Sequence, residues 1–164
     1  MGTVDVGKQP TYMGPMPTLE SQLLAPAARP KVIADCVQLV DEEVASKGGL
    51  SGLAIKGAYA VVKAVKGGII PEVVEGLLPD FAAKLEPTYQ AWLAAAGEPL
   101  PAFFEKRSGE VAEALLAITD GRAQKTHNAT LRKAYEKLRP TGKKNVEQAV
   151  PRLGRLLEKH AGTR

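Results

Sequence analysis

The sequence predicts an all-α protein, a compact multi-helix bundle. Three observations carry that reading. Apolar residues recur at three- and four-residue spacings in one segment after another. No stretch alternates with period two for long enough to make a strand. Val, Ile and Thr are scattered among Ala, Leu, Glu and Lys, the residues that favour helix. At 164 residues, 45% of them hydrophobic, the chain has the size of one domain. A chain of this length can bury about two-thirds of its unfolded surface, so it needs no covalent staples.

The elements follow in order. Residues 1–17 hold three Pro and three Gly and read as an extended N-terminal arm, leaving residues 18–164 as a single helical domain. Thr18 is a plausible N-cap for a short helix, Leu19 to Ala25. Pro30 suits the first turn of a helix running to Ser46, with Val32, Ile33, Cys36, Val37, Val40 and Val44 on one face. Gly48-Gly49 and Gly67-Gly68 read as helix ends using glycine in the left-handed conformation. Between them, residues 51–66 are apolar nearly all round, which predicts a buried central helix. Gly52, Gly57, Ala58 and Ala64 would let its neighbours come close. Pro79 and Pro87 should kink or divide the segment that begins at Pro71. Pro99 and Pro101 mark a further break, and helices are expected over about 102–120, 128–139 and 143–160.

Charge is distributed unevenly. Residues 1–121 carry ten basic and fifteen acidic side chains, and residues 122–164 carry twelve basic and three acidic. The domain therefore has an acidic first part and a basic C-terminal helical hairpin, about 128–160. On a helical wheel, Lys144, Arg152, Arg155 and Lys159 form a stripe beside an apolar face of Val146, Ala149, Val150, Leu153, Leu156, Leu157 and His160. Pro151 falls on the outward side. Arg132, Lys133, Lys137 and Arg139 extend the stripe on the preceding helix. Such a stripe fits phosphate backbones, anionic lipid, or the acidic part of the same chain. Aromatic interleaving is poor there, since only Tyr135 is available for base stacking.

Catalytic constellations are missing from the pattern. Cys36 sits in the middle of an apolar face, where burial disfavours the thiolate. The segment Lys47-Gly48-Gly49-Leu50-Ser51-Gly52 has neither P-loop spacing nor a preceding strand. No Glu-x-x-His pair occurs to build a metal site in a bundle, and a single Cys excludes a disulfide framework. No catalytic residue, metal ligand or cofactor is therefore assigned. Five of the eight aromatics fall between Phe81 and Phe104. They form either a core corner or a partner hot spot, and Trp92, Phe103 and Phe104 are the candidate partner contacts.

The run LVDEEVASKGGLSGLAIKGAYAVVKAVKGGIIPEVVEGLLPDF, followed by LRKAYEKLRPTGKKNVEQAVPRLGRLLEKH, resembles a family of small uncharacterised bacterial helical proteins. The likeness spans about residues 20–160. It implies a bacterial, cytoplasmic helical protein and brings no activity or site residue with it.

The first residues show no apolar signal region, and Lys56, Lys63 and Lys66 interrupt the most apolar stretch, so transmembrane insertion is not expected. The expected function is that of a non-enzymatic subunit acting through protein–protein contacts, with itself or another protein as partner. The alternative is a nucleic-acid or ribosome-associated protein binding through the basic C-terminal helices. A third reading is peripheral membrane attachment through helix 51–66, with its lysines as anchors.

Overall fold

The computed structural model describes residues 17–95 and 97–163. Among them the elements are α1 (Leu19–Leu23), α2 (Arg29–Ser46), α3 (Gly49–Val65), α4 (Ile69–Ala94), α5 (Leu100–Glu105), α6 (Ser108–Lys125), α7 (Ala129–Leu138) and α8 (Gly142–Ala161). A 3-10 turn, Arg139–Thr141, joins the last two helices. No strand occurs among the described residues. The arm expected over residues 1–17 lies outside the described residues, apart from Pro17.

Thr18 caps α1 as expected. Its hydroxyl accepts from the Ser21 amide at 3.0 Å, and the Ser21 hydroxyl accepts from the Thr18 amide at 3.1 Å. This reciprocal pairing satisfies two donors that a helix start leaves open. The Leu19 amide then donates to Glu86 at 2.7 Å, and Gln90 donates to the Pro17 carbonyl at 3.1 Å, tying the chain start to α4. Gly49 and Gly68 take φ of 70° and 75°, the left-handed turns expected at the two glycine pairs.

Two expectations are corrected by α4 and by the α5–α6 junction. Pro79 and Pro87 do not divide α4, which runs unbroken from Ile69 to Ala94. Both prolines are exposed, as are Glu75 and Ala83 one turn earlier, so water can solvate the carbonyls they leave unpaired. The helix expected over 102–120 is instead two. The Arg107 guanidinium lies over the Phe103 ring, 3.5 Å from its centroid, and donates to the Phe103 carbonyl at 2.9 Å. That side chain closes the end of α5 before α6 begins.

The core is built on α4 and α8. From α4 come Leu78, Ala82, Leu85, Tyr89 and Trp92, a buried stripe spaced four, three, four, three. From α8 come Val150, Leu156, Leu157 and Ala161. Short helix α5 places Leu100, Phe103 and Phe104 among them. Each large apolar side chain taken out of water contributes about 1.5–3 kcal/mol. The two buried polar aromatics are satisfied: the Tyr89 hydroxyl donates to the Ala161 carbonyl at 2.9 Å, and the Trp92 indole donates to the Glu98 carbonyl at 2.8 Å.

The buried central position expected for residues 51–66 is the main correction. In α3 only Gly52, Ile55 and Ala58 are buried, whereas Leu50 is 87% exposed and Leu53 67%. The inner face of α3 packs against α7, and the helix also touches α2 and α4. The physical reason is bulk. Leucines and aromatics on α4, α5 and α8 remove far more surface from water than Gly, Ala and Val can, so they claim the centre. A helix that is apolar all round announces two apolar faces, and here only one is covered.

Helix α5 comes unusually close to α8. A Cβ built on Gly154 would sit 2.8 Å from the Pro101 Cα. In an open helix, Gly to Ala would gain up to about 1 kcal/mol of propensity. Here the methyl group would force two backbones apart, and we expect Gly154→Ala to lower stability by about 1–3 kcal/mol. Urea denaturation checks this, and an unchanged or raised midpoint contradicts it.

Candidate functional site

Two surfaces remain as candidates, the basic stripe and the outer face of α3. Half of the stripe is engaged within the chain. Along α2 and α8, Lys159 pairs with Asp35 at 2.8 Å, and Arg152 pairs with Glu42 at 2.9 Å and Glu43 at 2.7 Å. His160 reaches the same Asp35 carboxylate at 2.7 Å, and Lys47 meets Gln148 at 2.8 Å. Rising numbers on α2 meet falling numbers on α8, so the two helices run antiparallel, laced by charge. Arg139 pairs with Asp120 at 2.8 Å, and Tyr135 donates to the same carboxylate. Arg132 donates to the Thr126 carbonyl.

What remains of the stripe is Lys133, Lys137, Lys144 and Arg155, which take part in no ion pair among the described residues. All four are exposed. Lys133 and Lys137 lie on α7, which packs mainly on α3, and Lys144 and Arg155 lie on α8, which packs mainly on α5, α6 and α2. Both helices also touch α6. Lys144 and Arg155 line an open cleft of about 660 Å³ beside the α2–α3 turn, together with Lys47, Arg152 and Glu43. Pro151, expected to face outward, is half-buried and lines that cleft.

The aromatic cluster resolves as core. Trp92 and Phe103 are each 3% exposed and Phe104 is fully buried, which fits the core-corner alternative and leaves these three side chains little surface to offer a partner. Their distance along the chain is bridged when α5 folds onto the end of α4, with Tyr89 and Trp92 tilted at 5.7 Å between centroids. Cys36 is half-buried. Burial, and then the negative charge of Asp35, push its thiol up to about 11, which keeps it protonated near neutrality. Among the described residues, no three His, Cys, Asp or Glu side chains are grouped to hold a metal ion.

The outer face of α3 is a surface that the sequence offered only as a possible membrane contact. Leu50, Leu53 and Val61 are exposed on it, with Ala54, Gly57, Ala60 and Ala64 between them. Lys56 and Lys63 border it on one side only. Helix α3 is held in place from behind, where the Tyr59 hydroxyl donates to Asp41 of α2. The signal was in the spacing: Leu50, Leu53, Gly57, Ala60 and Ala64 follow a three–four repeat, opposite the Gly52, Ile55 and Ala58 face. Likewise Asp35 and Glu42 on α2, and Arg152 and Lys159 on α8, are each seven apart, the spacing of two facing stripes.

A helical bundle with an unpaired apolar face defines the class of protein. The chain belongs to a family of unknown function, DUF6918, whose model matches residues 19–161. No curated protein and no solved structure matches it. No helix among the described residues is long and apolar enough to cross a membrane.

The α2–α8 pairing predicts an acid dependence. Lys159, and then His160, hold the Asp35 carboxyl below the usual carboxylate range. A carboxylate depressed in the folded state contributes stability that is complete above its unfolded pKa of about 3.9. That stability is lost as pH falls through the folded value. Asp35→Asn should therefore lower the urea midpoint at pH 7 and show a smaller further fall on going to pH 3. An equal pH dependence in variant and wild type contradicts the pairing.

Proposed function

We propose that this protein is a non-enzymatic assembly subunit that docks through the outer face of α3. The observation that carries this is the exposure of Leu50 and Leu53 on a helix that buries Gly52, Ile55 and Ala58 on its other side. Leaving such side chains in water forgoes about 1.5–3 kcal/mol each, which a docked partner would recover. The residues expected to serve nucleic acid speak less strongly, since Arg152 and Lys159 are already matched by acids of α2. A bacterial, cytoplasmic setting belongs to the same reading. It accords with the resemblance of the sequence and with the lone cysteine.

One further reading is favoured by the same face. Lys56 and Lys63 beside an apolar helix surface suit peripheral attachment to an anionic membrane. The face itself weighs against it. Beyond Leu53 it presents Val61 as its one further large side chain, and Gly57, Ala60 and Ala64 insert little into lipid but allow another helix to approach closely.

The test uses the full chain as bait in a native pull-down, with and without nuclease, beside a Leu50→Ser, Leu53→Ser variant. Both changed side chains are exposed, so helix content by circular dichroism should not move. We expect protein partners, this chain among them, that resist nuclease and are lost from the variant. Retention by the variant, or loss on nuclease treatment, contradicts the proposal. Flotation with anionic vesicles reads the membrane alternative directly.

A further inference from the structure

We infer that the partner of the α3 face is α3 of a second copy of this chain, paired antiparallel about a two-fold axis at Gly57. The inference rests on the docking reading above and names its occupant.

The seam residues Leu50, Leu53, Gly57, Ala60 and Ala64 are all exposed, and their spacing of three, four, three, four is that of helices packed knobs into holes. The stripe is graded in size. Its first turns carry two leucines, its middle a glycine, and its last turns two alanines. A two-fold interface must be complementary to itself, residue i meeting j and j meeting i. Turning one copy end for end about Gly57 sets Leu50 opposite Ala64 and Leu53 opposite Ala60 and Val61. Leu50 then meets Ala64, Leu53 meets Ala60 with Val61 at the flank, and two glycines cross at the axis where the backbones come closest. A parallel pairing would instead stack leucine on leucine and leave gaps at alanine. The antiparallel arrangement also sets the two helix dipoles head to tail.

Size and charge set the character of the pair. The stripe is roughly 21 Å long, and two such faces bury on the order of 1,000 Å², the lower limit for a specific interface. The dimer is therefore weak and concentration-dependent. Two-fold symmetry puts Lys56 and Lys63 of both copies on the same side of the pair. Salt screens that repulsion, so association should tighten as salt rises. Assembly through opposite charges would loosen instead.

The test combines sedimentation with crosslinking on the full chain. Wild type should shift with concentration from 17.4 kDa toward twice that mass, more readily at high salt. Leu53→Lys, an exposed position, should weaken association by about a hundredfold or more, because symmetry counts the change twice. In a Cys36→Ala background, Leu50→Cys with Ala64→Cys should form interchain disulfides on mild oxidation. Leu50→Cys alone should not, because its two copies lie about 21 Å apart. Crosslinking by Leu50→Cys alone overturns the antiparallel register. A wild type that stays at 17.4 kDa up to high concentration overturns the second copy as occupant. The docking reading itself fails only if the nuclease-resistant partners of the pull-down are also missing.

Discussion

The backbone contact between Gly154 and Pro101 sets the spacing on which the rest of the core depends. With no side chain at 154, α5 lies directly on α8, the Pro101 Cα only 2.8 Å from where a Cβ would stand. That close approach lets a six-residue helix, too short to hold its shape alone, deliver Leu100, Phe103 and Phe104 into the interior. Tyr89 and Trp92 of α4 close over the same region, and the Tyr89 hydroxyl ties α4 to the last turn of α8. Much of the hydrophobic gain thus comes from a few large side chains.

A consequence falls on α3. Once the bulky residues of α4, α5 and α8 have formed the core, α3 has only a narrow face of Gly52, Ile55 and Ala58 to bury. Its other face stays apolar and open. The polar groups elsewhere are mostly matched. Asp35, Glu42 and Glu43 of α2 meet Lys159 and Arg152 of α8, so the acidic first part of the chain answers part of its basic end from within. Exposed ion pairs of this kind add little stability one by one. They fix the register of α2 against α8, and they leave fewer cations free for phosphates.

Much of the fold was legible in the sequence, and the reasons are local. Thr18 caps α1 because its hydroxyl can reach the Ser21 amide, and Gly49 and Gly68 turn the chain because they tolerate positive φ. The apolar face of α8, from Val146 to His160, was readable from its period. What could not be read was which apolar helix wins the centre. That is a competition between helices, settled by the bulk of Tyr89, Trp92, Phe103 and Phe104, and the pattern of 51–66 alone does not contain it. The unbroken passage of α4 through Pro79 and Pro87 depended on their facing water. Lys144, Arg152, Arg155 and Lys159 were read onto the last helix from its period, but the acid that meets Arg152 lies 110 residues away on α2.

If the open face of α3 is the working surface of this molecule, its backbone should be the part that responds to company. Hydrogen exchange of the full chain, followed by mass spectrometry across a range of protein concentrations, reads that directly. The account predicts that amides of residues 50–64 become more protected as concentration rises, while those of α8 do not change. Protection that is independent of concentration in α3, or that appears in α8 only when nucleic acid is added, would contradict it.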